Sequence, residues 1–334
     1  MLDLTADLGP DHVARASTWR DAARYWTALT DATAHLPAPV AAIDLDALRY
    51  NAMDLLVRAG GIPIRVASKS VRVRAVLDAV LRLPGYRGIL AYTLDEALWL
   101  AEQHDDVVVG YPSVDRAAIA RLAADELSAA RVTLMIDDLA QLDLIDAVVV
   151  PQARPEIRVA IDVDASLRTT AFGHVGVRRS PLFSPSDAAE MARVVTRRHG
   201  FRLVGIQMYE AQIAGQPDAV GAEAPLIRAL QARSRDELQQ RRDAVARAVL
   251  AVTPLEFVNG GGTGSLEFTG SDQSLTEATA GSGLLAGYLF DGYRAFAPAP
   301  AAAIALDVVR RPTADIATLH GGGWIASGPA LASR

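Results

Sequence analysis

The residues of this chain that can do covalent chemistry converge on one lysine. Lysine and arginine together number 33, and Lys69, in "RVASKS", is the only lysine among them. A guanidinium stays protonated, whereas a lysine that has lost its proton is an amine nucleophile that condenses with carbonyl carbons. Lys69 follows an apolar run directly, which marks it for Schiff-base chemistry rather than for surface charge. A second candidate is "NGGGTGS", residues 259–265. Successive glycines let the backbone approach an anion closely, and the N–H groups of Gly261, Gly262 and Gly264, with the hydroxyls of Thr263 and Ser265, suit phosphate oxygens. "AGSG", residues 280–283, offers Ser282 and Gly283 in the same way.

Four further residues can move protons or face a planar ring: Arg168, His174, Gln207 and Tyr209. His35, His104, His199 and His320 stand singly, with no partner at metal-ligand spacing. The chain has no cysteine, which excludes disulfides, thiolate zinc sites and cysteine nucleophiles. A net charge of -6 and a pI near 5.6 argue against a nucleic-acid partner, since a phosphate-neutralising surface needs a basic excess. No leader-like or membrane-spanning apolar run stands out, so a cytoplasmic protein is expected.

The elements that must position these residues are regular. Residues 11–34 have helical periodicity and precede a proline break, so 1–38 reads as an N-terminal helical extension. Eight short apolar or alternating runs follow, at 62–68, 88–93, 106–112, 131–137, 157–164, 201–210, 255–261 and 276–282. Helical stretches are expected between them at 71–82, 94–103, 115–126, 138–146, 185–199 and 222–250. Alternation of this kind implies a parallel sheet, and eight units over this length fit a closed (β/α)8 TIM barrel spanning 39–292. The eighth run, "TEATAGS", is the least apolar. Beyond it, 293–334 reads as the start of an incomplete C-terminal β-domain with one or two antiparallel strands, and "PVAAIDLD" (39–46) is available to it as a borrowed strand.

Reactive groups of such barrels lie on the loops after the strands. Lys69 follows the first strand, Tyr209 ends the sixth, and the two glycine runs follow the seventh and eighth. A lysine on one side of the mouth and a phosphate nest on the other point to pyridoxal 5'-phosphate, with its aldehyde on Lys69 and its ring as electron sink.

These residues resemble the fold-type III pyridoxal-phosphate enzymes, the alanine racemase-like group, and within it the D-threonine aldolase and D-serine dehydratase branch with the bacterial amino-acid deaminase/aldolase proteins. "PVAAIDLDALRYNAM" is similar to the family's opening, "RVASKS" to its Arg-x-x-x-Lys-Thr/Ser pattern, "IDVDASLR" and "GIQMYEAQ" to segments carrying a cofactor-facing arginine and tyrosine, and "NGGGTGS" and "EATAGSGL" to its phosphate loops. The resemblance implies Lys69 as the Schiff-base lysine. Either Arg168 or His174 would take the arginine's place, because "LRTTAFGHVGVRRSP" is longer than the usual Arg-x-Gly turn. Racemases typically carry a tyrosine four positions after the lysine, where this chain has Val73, and that favours the lyase branch. The resemblance thus implies a lyase acting on a D-amino acid, in particular a D-3-hydroxyamino acid, by aldol cleavage or dehydration, and a homodimer. A racemase and a non-catalytic cofactor-binding protein are the alternatives. The family's branch uses a divalent metal held by a His-x-Cys or His-x-Asp pair, and those ligands are not found in this chain.

Overall fold

The computed structural model describes residues 2–5, 18–171 and 173–322. The first strand, β1 (Val40–Ile43), leads into a helix at Leu45–Arg58. Asp44 caps that helix: its carboxylate accepts from the N–H groups of Asp46 and Ala47, both at 2.9 Å, and satisfies two of the orphan donors of the first turn. Five parallel strands then alternate with helices: β2 (Ile64–Ala67), β3 (Tyr86–Ala91), β4 (Val107–Val109), β5 (Val132–Ile136) and β6 (Ile157–Asp162). A short antiparallel hairpin, β7 (Leu167–Thr169) and β8 (Gly173–Val175), interrupts the alternation. The parallel series resumes with β9 (Phe201–Met208), β10 (Phe257–Gly260) and β11 (Glu277–Ala280). Strands β2–β6 and β9–β11 form one closed barrel, with β11 pairing to β2.

All eight expected strands are present, and the six expected helices lie at 74–81, 94–101, 116–124, 139–148, 185–197 and 224–250. The periodicity missed the helices at Leu45–Arg58, Glu126–Arg131 and Leu266–Ser271 and the β7–β8 hairpin, among other short turns. The N-terminal helix covers Ala22–Thr33, and the expected start at 11–17 lies outside the described residues. Past the barrel there are three strands rather than one or two: β12 (Ala302–Ala305), β13 (Asp307–Thr313) and β14 (Ile316–His320). β1 pairs antiparallel with β12, from Val40 opposite Ala305 to Ile43 opposite Ala302, so "PVAAIDLD" does lend its strand to the C-terminal segment. Asn51 holds that segment down: its side-chain amide donates to Leu284 O at 2.9 Å and Ala299 O at 2.8 Å and accepts from Ala299 N at 2.7 Å.

The main apolar core lies between the barrel strands and their helices, and a small second cluster of Val108, Met135, Ala160, Val204 and Phe257 fills the barrel interior. One end of that interior is ionic. Arg65, 2% exposed, donates from Nε and Nη2 to Glu277 at 2.7 and 2.9 Å and from Nη1 and Nη2 to Asp106 at 2.8 and 2.9 Å. Gly88, at φ +69°, leaves room for it, since a Cβ there would stand 2.4 Å from Arg65 Nη1. This explains the weak apolar signal of the eighth strand: Glu277 takes up Arg65, and Thr279 exchanges hydrogen bonds with Asn259 at 2.9 and 3.0 Å. Replacing Arg65 by alanine strands a buried carboxylate, so a loss of about 3–5 kcal/mol is expected in denaturant unfolding. A loss below about 1 kcal/mol would show that Glu277 is not dependent on this partner.

Candidate active site

The turn that carries Lys69 is rigid. Residues Ser68–Ser70 form one 3-10 turn after β2, closed by the N–H groups of Val71 and Arg72 on Ser68 O at 2.9 Å each. Ser68 Oγ donates to Leu90 O at 3.3 Å, and Arg72 Nε to Lys69 O at 3.0 Å. Arg72 itself adopts φ +56°, a left-handed conformation that a non-glycine residue takes only under local constraint. From this turn Lys69 Nζ reaches Tyr111, just past β4, and donates to its Oη at 3.0 Å.

Lys69 and Tyr111 form one wall of a cavity of about 180 Å³ at the carboxyl ends of the strands. Its floor is Ala67, Leu90, Gln207, Asn259 and Thr279; Leu289 and Phe290 border it on the apolar side. Gly261, Gly262 and Thr263 line it together with Gly281 and Ser282. These two loops are stitched together, with Thr263 Oγ1 accepting from Gly283 N at 3.0 Å and from Ser282 Oγ at 3.2 Å.

Only part of "NGGGTGS" faces the cavity. Glu210, fully buried, accepts from Gly261 N, Ser265 Oγ and Thr269 Oγ1, each at 2.9 Å, and pairs with the equally buried Arg242. The Ser265 hydroxyl is thus committed to a carboxylate and is not placed to meet a phosphate. Gly264 is a packing position, since a Cβ there would stand 2.2 Å from Ala214 O. Gly283 serves through Thr263 and is not itself a lining residue.

Arg168 and His174 are not brought to the cavity. They face each other across the β7–β8 hairpin. Arg168, with a side chain 49% exposed, pairs with Asp164 at 3.2 Å and stacks on Phe183 at 3.8 Å, while His174 Nδ1 lies 3.5 Å from Ser166 Oγ. The arginine that lines the cavity is Arg179, from the same long segment, with a side chain only 13% exposed. Its Nε donates to Asp162 Oδ2 and its Nη2 to Gly110 O, both at 2.6 Å, and its guanidinium stands 4.8 Å from the Tyr111 ring and 5.7 Å from the Tyr209 ring. The usable signal was the excess length of "LRTTAFGHVGVRRSP": the hairpin takes up its first part and leaves "RRSP" to return to the mouth. Tyr111 was legible as a strand-end residue, but nothing in the sequence pairs it with Lys69.

The electrostatics sort the acids. Burial pushes the Asp162 carboxyl up to about 6 against the opposing pull of Arg179. Burial, with Glu210 nearby, pushes the Tyr209 phenol up to about 12, so it stays a neutral donor. Burial alone would raise Tyr111 as well, but Lys69 and Arg179 outweigh it and hold that phenol below its ordinary value.

Fold and site together define a (β/α)8 barrel with a lysine amine and two glycine loops lining one cavity at its mouth. Residues 43–284 match the family described as alanine racemase, N-terminal domain, and the chain belongs to that family, the fold-type III group of pyridoxal-phosphate enzymes. Among solved structures it is similar to D-threonine aldolase from Filomicrobium marinum, at 20% identity and TM-score 0.71 over 86% of this chain and 73% of that one. It is similar to D-threo-3-hydroxyaspartate dehydratase from Delftia sp. HT23, at 24% identity and TM-score 0.61 over 82% and 68%. It is also similar to alanine racemase from E. faecalis, at 16% identity and TM-score 0.58 over 81% and 67%. At these identities the likeness is one of fold. No curated protein matches the chain in sequence.

The residues present fit the family's cofactor. Gln207 Oε1 is a buried acceptor without a partner among the described residues, and Gln207 lines the cavity with Lys69 and the glycine loops. The raised Asp162 carboxyl gives a signed prediction. Its proton is held more tightly in the folded chain than at its ordinary 3.8, so its stabilising contribution is complete below about 3.8 and is lost as pH rises through about 6. The stability of the wild type relative to Asp162→Asn is therefore expected to fall, by as much as about 3 kcal/mol, between pH 4 and pH 7. A difference that is flat or rises over that window contradicts the assignment.

Proposed function

We propose that this chain is a pyridoxal-phosphate-dependent lyase acting on a D-amino acid, in particular a D-3-hydroxyamino acid, by aldol cleavage or by dehydration. The observation that carries the reading is the placement of the sole lysine: it lines the same cavity as a pair of stitched glycine loops. When bound, the cofactor supplies an aldehyde carbon for an amine and a ring that takes up the electron pair released at Cα. Lys69 would hold it covalently. Gly262, Thr263 and Ser282 would hold its phosphate, and Tyr209, kept neutral, would donate to it. Gln207 and Arg179 are the polar groups placed to meet the ring edge. Leu289 and Phe290 exclude water from one side of the site.

The choice of the lyase over the racemase rests on Val73. It stands four residues after Lys69 and supplies no phenol there. The likeness to the D-threonine aldolase and D-threo-3-hydroxyaspartate dehydratase structures supports the same choice. Among the described residues no group of three or more His, Asp or Glu is arranged as metal ligands, and no metal site is assigned to this chain. No helix among them is long and apolar enough to cross a membrane. The resemblance supports a homodimer, which sedimentation would test.

The decisive experiment adds pyridoxal phosphate to the purified protein, reduces with borohydride and maps the label. We expect one label, on Lys69, an unlabelled Lys69→Ala variant, and turnover of D- but not L-3-hydroxyamino acids with and without divalent metal. A protein that takes no label loses the cofactor and the enzyme reading together. A protein that is labelled but inert on every D-amino acid is a cofactor-binding protein instead.

A further inference from the structure

Tyr111 is the one ionisable side chain within hydrogen-bond distance of Lys69 Nζ, at 3.0 Å, and it lines the same cavity. Its surroundings are built rather than incidental. The Tyr92 ring meets it edge-on at 5.6 Å and 86°, with the Arg72 guanidinium 5.3 Å from the far ring. The Arg179 guanidinium stands 4.8 Å from the Tyr111 ring, itself held by Asp162 and Gly110. Tyr209 is the remaining titratable group facing it across the cavity. Two cations therefore face one phenol, with the Tyr92 ring packed edge-on against it.

We propose that Tyr111 is the proton-transfer partner of Lys69, exchanging a proton between its Oη and the lysine Nζ as that nitrogen forms or gives up a bond to carbon. The inference rests on the reading of Lys69 as the reacting amine. When Nζ adds to an aldehyde, the new C–N bond forms as the carbonyl π pair moves to oxygen. Two protons leave nitrogen in succession, each passing to Oη and from Oη to the former carbonyl oxygen: the first makes it a hydroxyl, and with the second it departs as water as the nitrogen lone pair forms the C=N bond and the C–O bond breaks. No oxidant, reductant or further reactant is consumed. The cationic surroundings that hold the Tyr111 phenol below its ordinary range suit this task, because a proton carrier works best when its own affinity for the proton is close to the working pH.

Because Lys69 is the only lysine, the test needs neither cofactor nor amino-acid substrate. The protein without cofactor is treated with formaldehyde and cyanoborohydride at neutral pH, and methylation of Lys69 is followed by mass spectrometry, with the N-terminal amine as internal reference. Tyr111→Phe is expected to slow Lys69 methylation relative to the N-terminus by at least about tenfold, the lower side of what a positioned acid–base group supplies. Tyr111→His is expected to restore part of the rate. Equal rates in wild type and Tyr111→Phe, each with an unchanged melting temperature, overturn the proposal. A second readout is the tyrosinate absorbance on titration: one phenol is expected to ionise below the ordinary ~10 in the wild type, to disappear in Tyr111→Phe, and to move upward in Lys69→Met. A Tyr111 that titrates at or above that value overturns the pairing. Formaldehyde chemistry is indifferent to the cofactor, so failure here and failure of the borohydride label are separate results.

Discussion

The site depends on how the barrel closes, and one buried ion pair sits at that seam. Arg65 on β2 and Glu277 on β11 join the first and last barrel strands, and Asn259 on β10 donates to the same Glu277 carboxylate at 2.8 Å. An ion pair taken out of water gains little over apolar packing, but it tolerates no slippage, because a shift of one residue would turn either charge toward the helices with no partner. Register at the seam is what the chemistry needs. Lys69 lies four residues beyond Arg65, Ser282 five beyond Glu277, and Gly261 two beyond Asn259. Fixing three strands at one level brings the amine and both glycine loops to a single rim.

A second buried carboxylate does the corresponding work one strand further on. Glu210 draws the N–H of Gly261 and the hydroxyls of Ser265 and Thr269 inward, and Arg242 balances its charge. The glycine run is therefore shaped from behind. The N–H groups of Gly261 and Gly262 are consumed in holding the loop's form, by Glu210 and by Ser265 Oγ, while Asn259, Gly261, Gly262 and Thr263 line the cavity. A loop organised in this way holds its cavity-side edge in place before any ligand arrives, which lowers the entropic cost of binding there.

Charge is distributed across the mouth in keeping with that design. Arg179 is clamped between Asp162 and the Gly110 carbonyl, so it can hold a position over the cavity instead of sweeping through solvent. It biases Tyr111 toward ionisation, while Tyr209 on its other side stays protonated because it is buried with Glu210 behind it. The proton affinities of two phenols of one cavity are thus pushed in opposite directions by their neighbours.

The sequence by itself determined the barrel and its polarity, because strand and helix periodicities are local, and the position of Lys69 and the glycine runs at strand ends follows from them. The eighth strand was the faintest because its inward residues, Glu277 and Thr279, are polar, and their partners Arg65 and Asn259 lie far off or on the neighbouring strand. The borrowed strand β1 was legible only as an option for the same reason, its partner being some 260 residues away. Tertiary structure alone decided which arginine lines the cavity. Arg168 and His174, the two candidates from the sequence, lie on the β7–β8 hairpin, and Arg179 is returned to the mouth. It also decided that Ser265 faces a buried carboxylate and that Tyr111 meets Lys69. Each of these outcomes depends on contacts between segments separated along the chain, which spacing and composition do not encode.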